Sequence, residues 1–408
     1  MKKKFNTACM ALVLLSFLAR LFQVHAWAAQ KEYPGGNAGT ITAIDYGECG
    51  MNADAVLVKS DGKYILMDTG YTDNEEDIAN SSVIKFLKSK GVNELDLYLS
   101  HWHNDHYYLM STIIKDPYFT IGTVYLPNAD RLLELSSSEN SGPGWYRDLT
   151  KNLNINGESW GPHSYTEIQA TLAEAGIKPV ILSKGDSFTV GSALFEVLWQ
   201  QEPENIPSDS VHDANQLINN TSLVTRVTIG GIRYLTAGDI HKSVEREMMS
   251  AGVDVKADIF KTSHHSNRST SNCPEFLKEV GASWAFGTGE ATEKCREAVS
   301  GAGTNYINVK NNGQIKIEIL NGEISVSAEK DLQTLTRIYV DSEGLEHTKE
   351  FCFAAGQDVF FTDRMIPQGC SYVGWARGTG IFQKLEWFVY NNLQNRSGLF
   401  ITTCGTQE

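Results

Sequence analysis

DLYLSHWHNDHYY, residues Asp96 to Tyr108, holds three of the chain's ten histidines. Asp96 to Ser100 reads as a short buried strand, and the chain then leaves it through His101, Trp102, His103, Asn104, Asp105 and His106. Side chains two apart on extended backbone point the same way, so His101 and His103 converge on one point. Asp105 and His106 follow at a helix start and offer an oxygen and a nitrogen to a second point beside the first. Imidazoles with a carboxylate suit zinc or a similar divalent ion, and two such points side by side suit a two-metal hydrolase. The alternative is a polar turn after a strand, but four ligand-type residues in six positions are hard to explain as core filling.

Upstream, Thr40 to Tyr46, Ala53 to Lys59 and Lys63 to Met67 are β-rich runs, with a hairpin turn at Ser60-Asp61-Gly62. The third run ends in Asp68-Thr69-Gly70. Ser82 to Lys90 has helical spacing and stops at Gly91, a C-cap position, so strand, helix and strand follow as an α/β layer needs. Downstream, Thr123 to Pro127 reads as a strand. Ser136 to Pro162 is too rich in Ser, Asn and Gly for a core element. Its Trp145, Tyr146 and Trp160 either wall a substrate pocket or pin the loop to the body. His163 to Gly176 reads as a helix, and Pro179 to Leu182 and Ala193 to Gln200 as strands. Asn219 to Val224 opens a hairpin with Ile232 to Thr236, which ends in Gly238-Asp239-Ile240 ahead of a helix from His241 to Met249. Asp239 is an N-cap candidate there on local grounds. Asp258 to Thr262 runs into Ser263-His264-His265-Ser266. Trp284 to Gly287, Tyr306 to Lys310, Gln314 to Leu320 and Glu323 to Ser327 supply the remaining strands.

The His-x-His-x-Asp-His signature of residues 101–106 resembles that of the metallo-β-lactamase-fold hydrolases. Within them the chain looks most like the branch containing the soluble domain of the competence DNA-uptake protein ComEC, from about Thr40 to Val326. The resemblance implies an α/β fold, a four-layer αββα sandwich over 39–328. It implies that His101, His103 and His264 hold one ion and Asp105 and His106 another. Asn219-Asn220-x-Ser222-Leu223 followed by a hairpin ending in Gly238-Asp239 resembles the branch, and so Asp239 inherits the role of bridging the two. Asp68-Thr69-Gly70 resembles the Asp-x-Gly turn beside the metals, and Asp68, Asn220 and Ser222 are expected to support the site or the substrate. His265 remains a second ligand, a proton donor or a packed ring. Ser266 stands where the family has glycine, which changes the freedom of the turn. The branch also supplies a late histidine in a Gly-His-Pro context, whereas Thr288 to Ala298 contains no His or Pro. Glu290, His265 or water is then left to complete the second position, and the two positions are expected to be unequal. One or two divalent ions per chain are expected, zinc first and manganese as the alternative.

In this scheme water activated by the metals attacks, with Asp105 and His265 as catalytic candidates and His265 or His212 protonating the leaving group. The leading expectation is a secreted phosphodiesterase or nuclease-like hydrolase, because the resembling branch handles phosphodiesters. A lactam or lactone hydrolase of the same fold, and a binding module with a degenerate metal site, are the alternatives.

With 408 residues, one large domain and a small one fit. A 41% apolar and 21% charged composition is that of a globular chain and excludes a disordered one. Lys2, Lys3 and Lys4 precede an apolar run to Leu18 and small residues near Ala26 and Ala28, which reads as a signal peptide over 1–28. Its removal takes away basic residues from a chain whose formal charge is already −14, and the Lys/Arg residues form no dense cluster. Avid binding to long DNA is therefore not expected, and a small or surface-bound phosphodiester suits the charge better. Beyond the leader, Cys49, Cys273, Cys295, Cys352, Cys370 and Cys404 make an even set that permits disulfides, with no Cys-x-x-Cys to suggest metal ligation. Residues 331–408 change character to a small β-rich module. There Pro367 to Trp375 is similar to the β-repeats of Gram-positive surface proteins, which implies cell-surface association.

Overall fold

The computed structural model describes residues 38–47, 49, 52–136, 165–205 and 214–330, together with the strands 332–340, 346–354, 370–377 and 398–404. The proposed leader, the aromatic loop with Trp145, Tyr146 and Trp160, and His212 lie outside the described residues. Fifteen strands build two sheets. They are β1 (Ala38–Ala43), β2 (Val56–Ser60), β3 (Lys63–Met67), β4 (Glu94–Tyr98), β5 (Thr120–Pro127), β6 (Val180–Leu182), β7 (Ser187–Val190), β8 (Ala193–Trp199), β9 (Val224–Ile229), β10 (Ile232–Thr236), β11 (Ile259–Lys261), β12 (Trp284–Gly287), β13 (Asn305–Asn308), β14 (Ile315–Leu320) and β15 (Glu323–Ala328). The first sheet runs in the order β15-β14-β1-β2-β3-β4-β5-β6, and the second β13-β12-β11-β10-β9-β8-β7. A separate four-stranded sheet follows, from β16 (Leu332–Val340), β17 (Glu346–Ala354), β18 (Cys370–Arg377) and β19 (Gly398–Cys404). Its register sets Cys370 opposite Cys404.

The strand period of two decides which face each residue serves. On β10 to β12, Tyr234, Ile259, Trp284 and Phe286 join one core together with Ile41, Val58, Leu66 and Leu97 of the first sheet. Their neighbours Leu235, Phe260 and Ala285 belong to a second core with Val244, Phe276 and Val299, from the helices Lys242–Ser250, Pro274–Val280 and Glu293–Gly301. The two sheets therefore pack face to face and helices cover the outside, a four-layer αββα sandwich. The Tyr98 hydroxyl and Thr225 Oγ1, 2.7 Å apart, tie the sheets across the seam.

Several elements escape the pattern reading, the helices Met110–Lys115, Asp130–Ser136 and Pro274–Val280 among them, and three others show why. The helix Ala214–Asn220 contains Asn215, Asn219 and Asn220, poor helix formers, and burial of Leu217 and Ile218 overrides that preference. The short edge strand β7 pairs with β8 as a hairpin. The helix Glu293–Gly301 occupies much of the stretch searched for a late histidine; Thr292 caps it by accepting the Cys295 N–H, and Cys295 and Val299 turn inward one helical turn apart. Among the described residues no helix is long and apolar enough to cross a membrane.

Burial pushes the Cys295 thiol up to about 12. A group whose folded pKa is raised contributes stability below its unfolded pKa, and that stability is lost as pH rises toward the folded value. Between about pH 9 and pH 12 this one thiol should cost roughly 1.4 kcal/mol per pH unit. Urea unfolding at pH 8 and pH 10 should show a smaller alkaline loss in Cys295→Ala than in the parent; equal losses would remove Cys295 from the account.

Candidate metal centre

The ligand candidates sit where strands end. Asp68 follows β3, His101 follows β4, Asp239 follows β10, His264 and His265 follow β11, and Thr288 follows β12. Carboxyl ends of neighbouring parallel strands are where an α/β sheet leaves a crevice.

Asp239 Oδ2 is the hub. It lies 3.3 Å from His106 Nε2, 3.2 Å from His265 Nε2, 3.7 Å from His264 Nε2 and 4.0 Å from His101 Nε2. His101 Nε2 and His103 Nδ1 approach to 3.1 Å, so the i, i+2 pair does converge. On the other side Asp105 Oδ2 is 3.1 Å from His265 Nε2, and Asp105 Oδ1 is 3.9 Å from His106 Nε2. His101 and His103 thus meet on one side and Asp105, His106 and His265 gather on the other, two donor sets with Asp239 between; His264 reaches the cluster through Asp239, and its place beside His101 and His103 is what the resemblance implies.

Hydrogen bonds outside these sets aim the rings. Asp68 receives the Ser100 N–H at 2.7 Å and the Ser100 hydroxyl at 2.8 Å, and its Oδ2 is 2.8 Å from His106 Nδ1. With Nδ1–H given to Asp68, His106 Nε2 is left facing the cluster, the orientation a metal-binding histidine needs. Asp54 does the same for His265, its Oδ1 lying 2.9 Å from His265 Nδ1. Asn220 Oδ1 accepts the His241 N–H and Ser222 Oγ accepts the Asp239 N–H, so both hold the Asp239 loop. Gly238, at φ +50°, has to be glycine: a Cβ there would lie 2.6 Å from the Ser222 Cβ.

The turn after β11 is strained. His264, His265 and Ser266 all have positive φ, at 53°, 55° and 71°. Each such residue costs about 1–2 kcal/mol relative to right-handed backbone. Asn272 holds the turn by accepting the Ser263 N–H and donating to the Ser263 carbonyl, while His265 O accepts from Gly289 and Ser266 O from Thr292. Ser266 thus adopts the left-handed conformation expected of a glycine, and its Oγ accepts from the Tyr306 hydroxyl at 2.8 Å.

Electrostatics shows what the cluster requires. Asp54, Asp68, Asp105 and Asp239 crowd together, and Lys261 is the lysine or arginine paired with them among the described residues. Burial works against a charged His106, yet Asp239 and Asp68 outweigh it and hold the ring well above its usual value. Burial likewise opposes an ionised Asp239, and His265, His106 and His264 hold it well below. Burial takes His264 down to about 3 and His103 to about 4, so these rings stay neutral, as ligands must. Buried atoms without a hydrogen-bond partner, His106 Nε2 and Asp239 Oδ1, point the same way. These residues fit a divalent ion, and Asp54, His106, Asp239 and His265 alone already bring four ligand-type atoms within 4.8 Å of one another.

Of the residues named from sequence, the structure gathers His101, His103, Asp105, His106, Asp239, His264 and His265, with Asp68, Asn220 and Ser222 behind them. It does not gather Glu290, which is exposed and joined to none of them. Of the roles open to His265, geometry favours the ligand over the proton donor: it is buried, and both ring nitrogens face carboxylates. Sequence reasoning missed Asp54, Lys261 and His241, whose ring stacks on His264 at 5.3 Å. The available signal was a charge inside an apolar run, Ala53-Asp54-Ala55 and Ile259-Phe260-Lys261.

Asp68→Ala should weaken the ion on the His106 side by roughly 10- to 100-fold. Calorimetric titration of metal-free protein measures it, and unchanged affinity would leave Asp68 with only a structural part.

No family model matches the chain. In sequence it is similar to ComE operon protein 3 of Bacillus subtilis (strain 168), 23% identical over 256 residues, covering 59% of this chain and 27% of that protein. In sequence the chain is similar to ComEC, and its fold is the αββα sandwich of the metallo-β-lactamase fold. The ComEC-like chain thus spans about a quarter of that relative's length. Among solved structures it is similar to the metallo-β-lactamase fold protein YhfI from Bacillus subtilis, at 12% identity and a TM-score of 0.36, covering 66% of this chain and 95% of that one. It is also similar to a diphosphatase of the PhnP family, at 11% identity and a TM-score of 0.36, covering 69% and 98%.

Proposed function

We propose that the protein is a metal-dependent hydrolase that cleaves phosphodiester bonds, exported from the cell, on substrates that are small or surface-bound. The observation that carries this reading is the single Asp239 oxygen standing between two donor sets. When bound there, paired divalent ions supply Lewis acidity and an acidified water, a combination suited to in-line displacement at phosphorus. The chain's own residues do the rest. Asp68 and Asp54 hold the Nδ1 edges of His106 and His265, so neither ring rotates as charge develops. Asp239, anchored through its N–H to Ser222, keeps the two donor sets at a fixed separation. Asp105 and His264, each about 15% exposed, form the rim that substrate meets. The formal charge of −14 supports a compact phosphodiester over long DNA. Residues 331–408, which carry none of the donor atoms, are proposed as an attachment module.

The test is a screen of the purified protein with bis-p-nitrophenyl phosphate, a lactam and a lactone, each with zinc and with manganese. Turnover of the phosphodiester alone is the expected result. Turnover of the lactam or lactone alone would move the reading to acyl chemistry, and no turnover with either metal would leave a binding module.

A further inference from the structure

Lys261 is a charged residue in an apolar seam. On β11, Ile259 faces the core between the sheets and Phe260 the outer core, so Lys261 turns back into the seam, beside its register partner Phe286. Its side chain is 2% exposed. Lysine is almost never fully buried unless paired, and here Nζ lies 2.5 Å from Asp54 Oδ2. The other Asp54 oxygen accepts the Thr288 hydroxyl at 2.5 Å and lies 2.9 Å from His265 Nδ1. His265 Nε2 in turn faces Asp105 at 3.1 Å and Asp239 at 3.2 Å. Four groups thus run in series from the middle of the sandwich to the donor cluster. A buried ion pair is a poor way to gain stability, since an apolar pair of the same volume often does as well or better. Breaking only one member is costly, because it strands a buried charge.

We propose that Lys261 and Asp54 form a buried relay that locks His265 with its Nδ1 edge tied down and its Nε2 aimed at the second metal position. By this device a histidine of the strained turn takes the place of the late histidine that the chain lacks. Lys261 and Asp54 are positioning residues: Asp54 orients the ring, and Lys261 offsets the repulsion between Asp54 and the carboxylates of Asp68, Asp105 and Asp239. The second position is then completed by protein nitrogen, not by Glu290. The inference rests on the two-ion reading of the cluster.

The test uses full-length protein stripped of metal by chelation and titrated with zinc and with manganese. Ion stoichiometry is read by native mass spectrometry and each affinity by calorimetry. The wild-type protein is expected to bind two ions. Asp54→Asn and Lys261→Met should keep the ion held by His101, His103 and His264, and bind the second about 10- to 100-fold more weakly. Lys261→Arg should restore most of that affinity. The double variant Asp54→Asn/Lys261→Met leaves no stranded charge, so it keeps the test open if a single variant is too unstable to titrate. Its second-ion affinity should match that of Asp54→Asn alone, because Lys261 acts through Asp54. Wild-type affinity for the second ion in the double variant overturns the relay while leaving the two-ion reading intact. Equal weakening of both ions overturns it as well, since a general loosening of the fold would do that. A wild-type protein that takes up no ion refutes the two-ion reading and the relay with it.

Discussion

Asp239→Asn should abolish turnover and loosen both ions, with a fall in kcat on the order of a thousandfold or more. The reason is geometric. One oxygen of this carboxylate lies within 4.0 Å of nitrogens from His101, His106, His264 and His265, so among the described residues it is the side chain placed to serve both sides of the cluster. The amide keeps the shape and removes the charge. His106→Ala is the useful contrast, since His106 belongs to one set and the other set should retain its ion. Metal counting on both variants, alongside turnover, separates the cases. Two ions held at parental affinity by Asp239→Asn would show that the bridging group is elsewhere.

Glu245→Ala should cost about 3 kcal/mol of stability and weaken metal binding, although Glu245 touches no donor atom. It is fully buried on the helix Lys242–Ser250, and its two oxygens accept the backbone N–H groups of Asn272 and Cys273 at 2.7 and 2.8 Å. Those bonds fix Asn272, which in turn clamps Ser263 through both its backbone N–H and its carbonyl, and Ser263 begins the left-handed turn carrying His264 and His265. Removing the carboxylate leaves two buried donors unpaired, at roughly 1–3 kcal/mol each, partly recovered by relaxation. Glu245→Gln should fall between, because one amide hydrogen bond is kept while the amide nitrogen opposes a second donor. Urea unfolding gives the stability and calorimetric titration the metal affinity. A stable Ala variant would mean that the turn is held by Gly289 and Thr292 alone.

Local sequence determined a good part of this protein. The signature at 101–106 fixes its own geometry, because residues two apart on extended backbone must share a side, and His101 and His103 do meet. Most of the strands followed from alternation and from Gly and Asn turns, both local properties, while several helices did not. The turn at 263–266 was legible only through its resemblance to the family's His-His-Gly-Ser turn, and the left-handed backbone of His264, His265 and Ser266 had no local signal. What local pattern could not supply was which side chains from distant segments share a space. Asp54 and His265 are 211 residues apart and Lys261 stands on a strand that reads as ordinary core, so their union depends on one sheet closing over the other. The choice of His265 over Glu290 for the second position is of the same kind. A single strand specifies only the parity of its side chains. The packing of two sheets decides what that parity meets, and it is the closed seam that turns a lone buried lysine and a lone aspartate into support for a ligand.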